Sequence, residues 1–161
     1  MRTILLVEDN EDDVFFMHQA KTEAGITNPM HVAEDGRQAI DYLEGRGKFA
    51  NRAKYPLPFL VLLDLKLPLV LGLDVLKWIR ERSELKTILV VVLTSSDNIR
   101  DINRAYRLGA NSFMVKPLDF QNYIHFGRVI EGFWLKASQA PEISRPVLNR
   151  QEIEGPESSH Q

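Results

Sequence analysis

The chain has 161 residues, of which 44% are hydrophobic and 26% charged, and its formal net charge is −2 at pH 7. This length fits one domain with a proper core, and the slightly acidic balance argues against nucleic acid as a partner. Cysteine is absent, which excludes thiolate catalysis, disulfides and cysteine-ligated zinc. The apolar run at residues 4–7 is too short for a signal peptide or a membrane span. We therefore expect a cytoplasmic protein that does not enter a membrane.

Five short apolar runs alternate with longer segments along the chain. The runs are rich in Val, Ile and Leu and lack regular polar alternation, which is typical of strands covered on both faces. The predicted strands are residues 4–7, 30–33, 59–63, 88–93 and 112–115.

Between these runs, apolar residues recur at mostly i, i+3 and i+4 spacing, which indicates helices. The strand–helix order, repeated five times, predicts an α/β fold with a doubly wound five-stranded parallel sheet. Right-handed crossovers favour the flavodoxin-like strand order 2-1-3-4-5. The predicted helices are residues 11–24, 37–43, 72–82, 98–108 and 119–136.

Two segments depart from this alternation. Residues 44–58 predict a long polar loop between the second helix and the third strand. Residues 139–161 are rich in Ser, Pro, Glu and Gln, a composition that favours disorder. The sequence thus predicts a folded domain over residues 1–138 and a disordered tail over residues 139–161.

Polar residues follow four of the predicted strands. Glu8 and Asp9 come after the first strand, Asp64 after the third, Thr94 after the fourth and Lys116 after the fifth. Ligands of such sheets bind at the carboxyl ends of the strands, so we expect these side chains to converge at one edge. Helix capping is an alternative role for the two acids that follow the first strand.

Such a cluster suits the chemistry of phosphoryl groups. Carboxylates packed together repel one another unless a cation joins them, and oxygen ligands favour Mg²⁺ or Mn²⁺ over zinc. A carboxylate can also attack phosphorus and form an acyl phosphate. The metal, an ammonium and a hydroxyl would then hold the phosphoryl oxygens. Asp9, Asp64, Thr94 and Lys116 supply these parts.

Four motifs resemble those of the response-regulator receiver domain. They are VEDNEDD at 7–13, LLDLKLP at 62–68, VVLTSSD at 91–97 and ANSFMVKP at 110–117. The resemblance covers roughly residues 2–137. It is strongest to the stand-alone regulators that partner phytochrome-type histidine kinases, where a segment similar to EGFWL at 131–135 closes the last helix.

The resemblance implies a role for each matched residue. Asp64 would be the phosphoacceptor, Asp9 the direct ligand of the metal, and Glu8 a second acid that acts on the metal through water. Lys66 would offer its backbone carbonyl to the metal.

Three further positions match the part of the family's site that handles the phosphoryl group. Thr94 and Lys116 would bind its oxygens, and Phe113 would be the aromatic switch that moves together with Thr94. The implied protein is a single-domain response regulator of a two-component phosphorelay. It would accept phosphoryl from a histidine kinase or a phosphotransfer protein, with Mg²⁺, and would catalyse only its own phosphorylation and dephosphorylation.

Two departures from the family pattern lie beside the predicted site. Residues 69–71 are apolar where the family has a polar or acidic residue before Gly72, which adds apolar surface at the rim. Lys66 places a cation beside the phosphoacceptor. The phosphoryl lifetime therefore does not follow from the family average.

Three other functions fit parts of the pattern. A turnover phosphatase of the aspartyl-phosphate kind would carry its nucleophile and a second Asp after the first strand. A receiver-like module that no longer takes phosphate would lack an acid, the Lys or the Thr. A flavodoxin would have a hydroxyl-rich phosphate loop after the first strand. The sequence lacks the features of the phosphatase and of the flavodoxin, and it retains the acids, the Lys and the Thr, of which the receiver-like module would lack at least one.

Two further expectations concern geometry and assembly. The Lys116–Pro117 peptide bond is expected to be cis, which would aim the ammonium at the site. A homodimer is expected on the fourth helix, fifth strand and fifth helix, because the last helix carries more apolar residues than a sheet can cover. The basic row Arg100, Arg104 and Arg107 would pair across this interface with acids such as Asp97, Asp101 or Asp119.

Overall fold

Five parallel strands form the centre of the molecule in the computed structural model, which describes residues 2–137. The sheet has the order β2-β1-β3-β4-β5, so the predicted flavodoxin-like topology is confirmed. The predicted tail at residues 139–161 lies outside the described residues. The strands are β1 (Ile4–Val7), β2 (Met30–Ala33), β3 (Leu60–Leu63), β4 (Leu89–Thr94) and β5 (Ser112–Val115).

A helix follows each strand and begins within one residue of the predicted start. The last helix differs from its prediction, because α-helical bonding ends at Val129 and a π-helical segment, Ile130–Ala137, continues the chain. An ion pair between Lys136 and Glu131 spans five positions, which suits the i→i+5 spacing of a π-helix. The α-helices are α1 (Glu11–Glu23), α2 (Gly36–Glu44), α3 (Gly72–Arg80), α4 (Ile99–Arg107) and α5 (Phe120–Val129). Among residues 2–137, none of the helices has the length and apolar character needed to cross a membrane.

Short polar residues cap four of the five α-helices. Each of these side chains accepts a hydrogen bond from a backbone N–H in the first turn, which satisfies a group with no partner inside the helix. Because Asn10 caps α1, Glu8 and Asp9 are left to other roles. The capping residues are Asn10, Asp35, Asn98 and Asp119.

The two faces of the sheet bury two separate apolar layers. Alternate residues of a strand point to opposite faces, so Leu5 and Val7 pack with α2, α3 and α4, whereas Ile4 and Leu6 pack with α1 and α5. All four strand residues are at most 3% exposed. This burial fixes the register of β1 and therefore the position of the residues that follow it.

The segment 44–58 is more ordered than the predicted polar loop. A 3₁₀ turn, Gly47–Phe49, buries Phe49 against Tyr42 and Tyr55. The Arg52 guanidinium donates hydrogen bonds to the backbone carbonyls of Tyr42, Leu43 and Tyr55. A cation is favourable at the C-terminal end of a helix, and here it ties the loop to α2.

The loop between β3 and α3 is held in a tight conformation. The Val70 N–H donates to the Pro68 carbonyl at 2.8 Å, and Leu69 between them has a φ of 65°. This is a γ-turn with its central residue at positive φ, a rare and strained form. At its end, a Cβ added to Gly72 would lie 2.0 Å from the Asp64 carbonyl oxygen. Only glycine fits there, which fixes the path of the chain that leaves Asp64.

We expect Gly72→Ala to lower the free energy of unfolding by about 1–3 kcal/mol or more, because the added methyl group overlaps backbone atoms that have no room to move. Urea unfolding of both proteins measures the loss. Gly132→Ala is the matched control, since nothing lies within 4 Å of a Cβ at Gly132. Equal stability of the two variants would contradict the tight packing at Gly72.

Candidate functional site

Three carboxylates meet at the carboxyl edge of the sheet. Val7 of β1 pairs with Leu63 of β3, so the residues that follow these strands lie side by side. One oxygen from each of Glu8, Asp9 and Asp64 lies within 4.8 Å of the others. Glu8 and Asp64 are 3% and 5% exposed, whereas Asp9 is exposed. A compact set of carboxylate oxygens with one open side fits a hard divalent cation such as Mg²⁺ or Mn²⁺.

The Lys116 ammonium reaches into this cluster from the end of β5. Its Nζ donates to Asp64 Oδ2 at 2.8 Å and also pairs with Glu8. A third carboxylate, that of Asp13, accepts from the same nitrogen at 3.0 Å. The side chain of Lys116 is only 9% exposed. A buried ammonium is stable only with such partners, so this cation depends on the acids around it.

The Lys116–Pro117 peptide bond is trans, so the prediction of a cis bond is wrong. The Lys116 N–H donates to the Thr94 carbonyl at 2.7 Å, which extends the pairing of β4 and β5 past the strand ends. From this backbone the side chain already reaches Asp64. The trans form is favoured even before proline, and no bend is needed to aim the ammonium.

The charges of the cluster shift the pKa values of its members in two directions. Burial raises the pKa of the Glu8 carboxyl from 4.5 to about 7, and the Asp64 charge adds to the rise against hydrogen bonds from Lys116 and the Asn10 N–H. Burial alone would lower the pKa of the Lys116 ammonium. Its hydrogen bonds to Asp64, Glu8 and Asp13 outweigh that cost and hold the pKa above its usual value. Lys116 therefore stays charged at neutral pH, whereas the Glu8 carboxyl titrates near neutral pH.

Asp13 is a member of the cluster that the sequence analysis missed. It lies in the first turn of α1, four residues after Asp9, which is one helical turn further along the chain. Its second carboxylate oxygen accepts a hydrogen bond from the Tyr123 hydroxyl of α5 at 2.9 Å. Burial raises the pKa of Tyr123, and the bond to Asp13 adds to the rise. The sequence signal for Asp13 is its place as the third of three consecutive acids, residues 11–13, within VEDNEDD.

The Thr94 hydroxyl belongs to the last residue of β4, the strand next to β3 in the sheet. Thr94 is fully buried, and its Oγ1 has no hydrogen-bond partner among the residues that the structure describes. A buried hydroxyl is almost always paired, so this group fits a ligand oxygen. Phe113 is half-buried in the core layer of α2, α3 and α4, and its N–H donates to the Tyr106 hydroxyl at 3.1 Å. The two side chains that were predicted to move together thus lie on neighbouring strands.

Lys66 points outward beside the cluster. Its side chain is exposed, and its N–H donates to Asp64 Oδ1 at 3.3 Å. An open groove of about 450 Å³ leads from Asp9 along the β3–α3 loop to α4. It gives solvent and ligands access to the acids. Its lining is Asp9, Leu65, Lys66, Leu67, Pro68, Leu71, Leu73, Asp74, Asp101 and Arg104.

A five-stranded parallel sheet with an acidic cluster, a buried Lys and a buried Thr at its carboxyl edge defines a phosphoryl-accepting signalling domain. The chain belongs to the response regulator receiver domain family, which matches residues 4–126. Aspartate phosphorylation is the general property of this family.

Two curated relatives match the chain over most of their length. The probable methanogenesis regulatory protein FilR2 of Methanothrix harundinacea is 39% identical over 86% of each chain. Response regulator Rcp1 of Synechocystis is 34% identical over 87% of this chain and 93% of its own.

Solved structures of the same kind superpose closely. The Mn²⁺-bound form of Rcp1 has a TM-score of 0.80 at 34% identity and covers 88% of this chain and 100% of its own. The phosphorylated cyanobacterial phytochrome response regulator RcpA has a TM-score of 0.81 at 35% identity, covering 88% and 99%. The chain is thus a receiver domain of the stand-alone kind, related to phytochrome response regulators.

The raised pKa of Glu8 makes the stability of the metal-free protein depend on pH. The folded state binds the proton more tightly, with a pKa of about 7 against 4.5, so its stabilisation is complete below pH 4.5 and is lost as the pH rises through 7. We expect wild type to lose up to ~2 kcal/mol relative to Glu8→Gln between about pH 5.5 and 8.

Urea unfolding with a chelator present measures this difference. The Glu8→Gln variant is the control, because it keeps His18 and His31, whose pKa values burial lowers. If the free energies of unfolding of the two proteins changed in parallel with pH, the proton on Glu8 would be refuted.

Proposed function

We propose that Asp64 accepts a phosphoryl group from a phosphohistidine of a histidine kinase or a phosphotransfer protein. An Asp64 oxygen forms the new bond to phosphorus, the bond from phosphorus to the histidine nitrogen breaks, and the imidazole leaves. The observation that carries this assignment is the position of Asp64, a buried carboxylate whose Oδ2 lies 2.8 Å from the Lys116 ammonium. The same ammonium can neutralise the phosphoryl group that replaces that contact.

A divalent metal completes the proposed site. We assign Asp9, Glu8 and Asp64 as the residues that hold Mg²⁺ or Mn²⁺, with the Lys66 carbonyl as a further ligand. The compact arrangement of the three carboxylates supports this set, as does the Mn²⁺-bound form of Rcp1. When bound, the metal neutralises charge on the phosphoryl oxygens.

Thr94 and Lys116 are the proposed ligands of the phosphoryl oxygens. The Thr94 hydroxyl is free to turn toward the group because no described residue holds it. Its movement leaves space near β4 into which Phe113 can turn, so Thr94 and Phe113 form a two-state switch.

The protein acts in this proposal as a switch that catalyses only its own phosphorylation and slow dephosphorylation. A kinase of the phytochrome type is the proposed donor, because the similar protein RcpA is a phytochrome response regulator. The proposed location is the cytoplasm, where such kinases hold their phosphohistidine.

We expect incubation with a small-molecule phosphodonor and Mg²⁺ to add one phosphoryl mass to wild type and none to Asp64→Asn. Intact-mass measurement reads the increment, and a chelator should abolish it because the acids then repel the donor. Asp41→Asn, on the surface of α2 beside Arg37, is the matched control and should react as wild type does. A mass increment that survives in Asp64→Asn would show that another residue is the phosphoacceptor. The absence of an increment in wild type would favour a module that binds partners without taking phosphate.

We further propose that the switch works through a homodimer on α4, β5 and α5. β5 is an edge strand, and Ile99, Tyr106 and Val115 on this side are 64%, 48% and 49% exposed. Apolar area of this kind favours a protein partner. Of the acids predicted to pair with the arginine row, Asp101 accepts from Ser96, and Asp119 caps α5.

We expect Arg104→Glu to weaken the homodimer, because a two-fold interface repeats each change on both copies. Light scattering over a range of concentrations, with and without beryllium fluoride as the phosphoryl mimic, measures the mass. Lys86→Glu, an equal charge reversal after α3, is the control. A wild type that stays monomeric under all conditions would refute the dimer and leave the face to a kinase or a target.

A further inference from the structure

Asp13 lies between the site and α5, and the function proposed above does not use it. Its Oδ2 accepts from Lys116 Nζ at 3.0 Å, and its Oδ1 accepts from the Tyr123 hydroxyl at 2.9 Å. Tyr123 is only 2% exposed. A continuous chain of hydrogen bonds therefore runs from Asp64 through Lys116 and Asp13 to Tyr123.

This chain joins three elements of the fold. Lys116 follows β5, Asp13 lies in the first turn of α1, and Tyr123 lies in the first half of α5. The Tyr123 ring also packs on Phe16 of α1, with ring centroids 5.6 Å apart. Because a buried hydroxyl is costly to leave unpaired, a change at Asp13 must also change how the Tyr123 side chain sits between α1 and α5.

We propose that Asp13 is a positioning residue that holds the Lys116 ammonium over Asp64 and couples it, through Tyr123, to helix α5. This inference rests on the proposed function, since it concerns the same ammonium. Before phosphorylation, three carboxylates share Lys116. A phosphoryl group on Asp64 draws the ammonium toward its own oxygens, which weakens the bond to Asp13. The hydrogen bond between Asp13 and Tyr123 then changes, and the Tyr123 side chain of α5 changes its position with it.

A purely structural role is the alternative. The Asp13–Tyr123 bond would then only fasten α1 to α5, which already pack closely through Phe16, Phe120 and Tyr123. In that case its loss would lower stability and leave both the phosphorylation of Asp64 and the response of Tyr123 to the site unchanged.

The first measurement is the phosphorylation rate with acetyl phosphate at saturating Mg²⁺, so that changes in metal affinity do not enter. We expect Asp13→Asn to react about 5-fold more slowly, because a charge-assisted hydrogen bond that places Lys116 is lost. Tyr123→Phe should also change the rate, by about 2-fold or more, since Asp13 loses its second partner.

Two matched controls separate these effects from net charge and from a lost hydroxyl. Asp12→Asn removes the same charge from the same turn of α1, where Asp12 is exposed. Tyr55→Phe removes a hydroxyl from the aromatic group beside α2. Both controls should react as wild type does, and thermal unfolding of each variant checks that it is folded.

The second measurement reads the coupling itself in the full chain labelled with 3-fluorotyrosine. The Tyr123 ¹⁹F resonance, assigned by its loss in Tyr123→Phe, should shift when beryllium fluoride and Mg²⁺ bind to wild type. In Asp13→Asn the shift should be strongly reduced, although the mimic still binds. A static Tyr123 resonance in wild type would overturn the proposal, and so would an equal shift in wild type and Asp13→Asn.

The outcomes distinguish this inference from the proposed function. Phosphorylated wild type with Asp13→Asn and Tyr123→Phe matching their controls would refute the coupling alone. A wild type that takes no phosphoryl would refute both.

Discussion

The buried ammonium of Lys116 is the group on which the carboxyl edge of this molecule depends. It contacts carboxylates at the end of β1, in the first turn of α1 and at the end of β3, and it is itself carried by the end of β5. Its contacts thus fix four elements relative to one another at the point where the sheet ends. Three acids, Glu8, Asp13 and Asp64, contact this ammonium, and a fourth, Asp9, lies beside Glu8 and Asp64. Burial raises the pKa of Glu8 to about 7, and the charge of Asp64 adds to the rise. The acids in excess of the one ammonium also suit a divalent cation.

The backbone around Asp64 is as constrained as its side chain. β3 is fully buried, and the chain that leaves Asp64 passes through a γ-turn at Leu69 and then against Gly72. The same loop also packs tightly against Gly36 of α2, since a Cβ at Gly36 would lie 1.9 Å from the Val70 carbonyl oxygen. The Asp64 carboxylate is therefore held by the tight packing of its backbone and by the Lys116 ammonium.

The sequence was sufficient for the topology and for most of the candidate site, for one physical reason. The strands β1, β3 and β4 are almost fully buried runs rich in Val, Ile and Leu, so their carboxyl ends could be predicted to within one residue, and the residues at these ends meet at one edge of the sheet. Glu8, Asp9, Asp64 and Thr94 follow from that argument. Lys116 follows the less buried edge strand β5 and was predicted from its position after the fifth apolar run. The spacing of apolar residues in a π-helix is close to that in an α-helix, so the sequence does not show the change from α-helix to π-helix at Ile130.

The failures concern contacts that no single element determines. Asp13 joins the site only because α1 and α5 pack together and bring Tyr123 within reach of its carboxylate. The order of segment 44–58 likewise depends on Arg52 meeting the free carbonyls at the end of α2. The prediction of a cis Lys116–Pro117 bond failed because the long, flexible Lys116 side chain places its ammonium beside Asp64 from a trans backbone.

A stand-alone receiver has to carry a change at a buried carboxylate to its own surface. The proposed mechanism gives it two routes from Asp64. One passes through the Thr94 hydroxyl, which has no hydrogen-bond partner among the described residues, to Phe113 on the edge strand β5, and the other passes through Lys116 and Asp13 to Tyr123 on α5. Phe113 packs in the layer of α2, α3 and α4, and Tyr123 packs in the layer of α1 and α5, so the two proposed routes reach opposite faces of the sheet. In that proposal the Lys116 ammonium is the point the two routes have in common with Asp64, because Lys116 both follows β5 and contacts Asp64 and Asp13 directly.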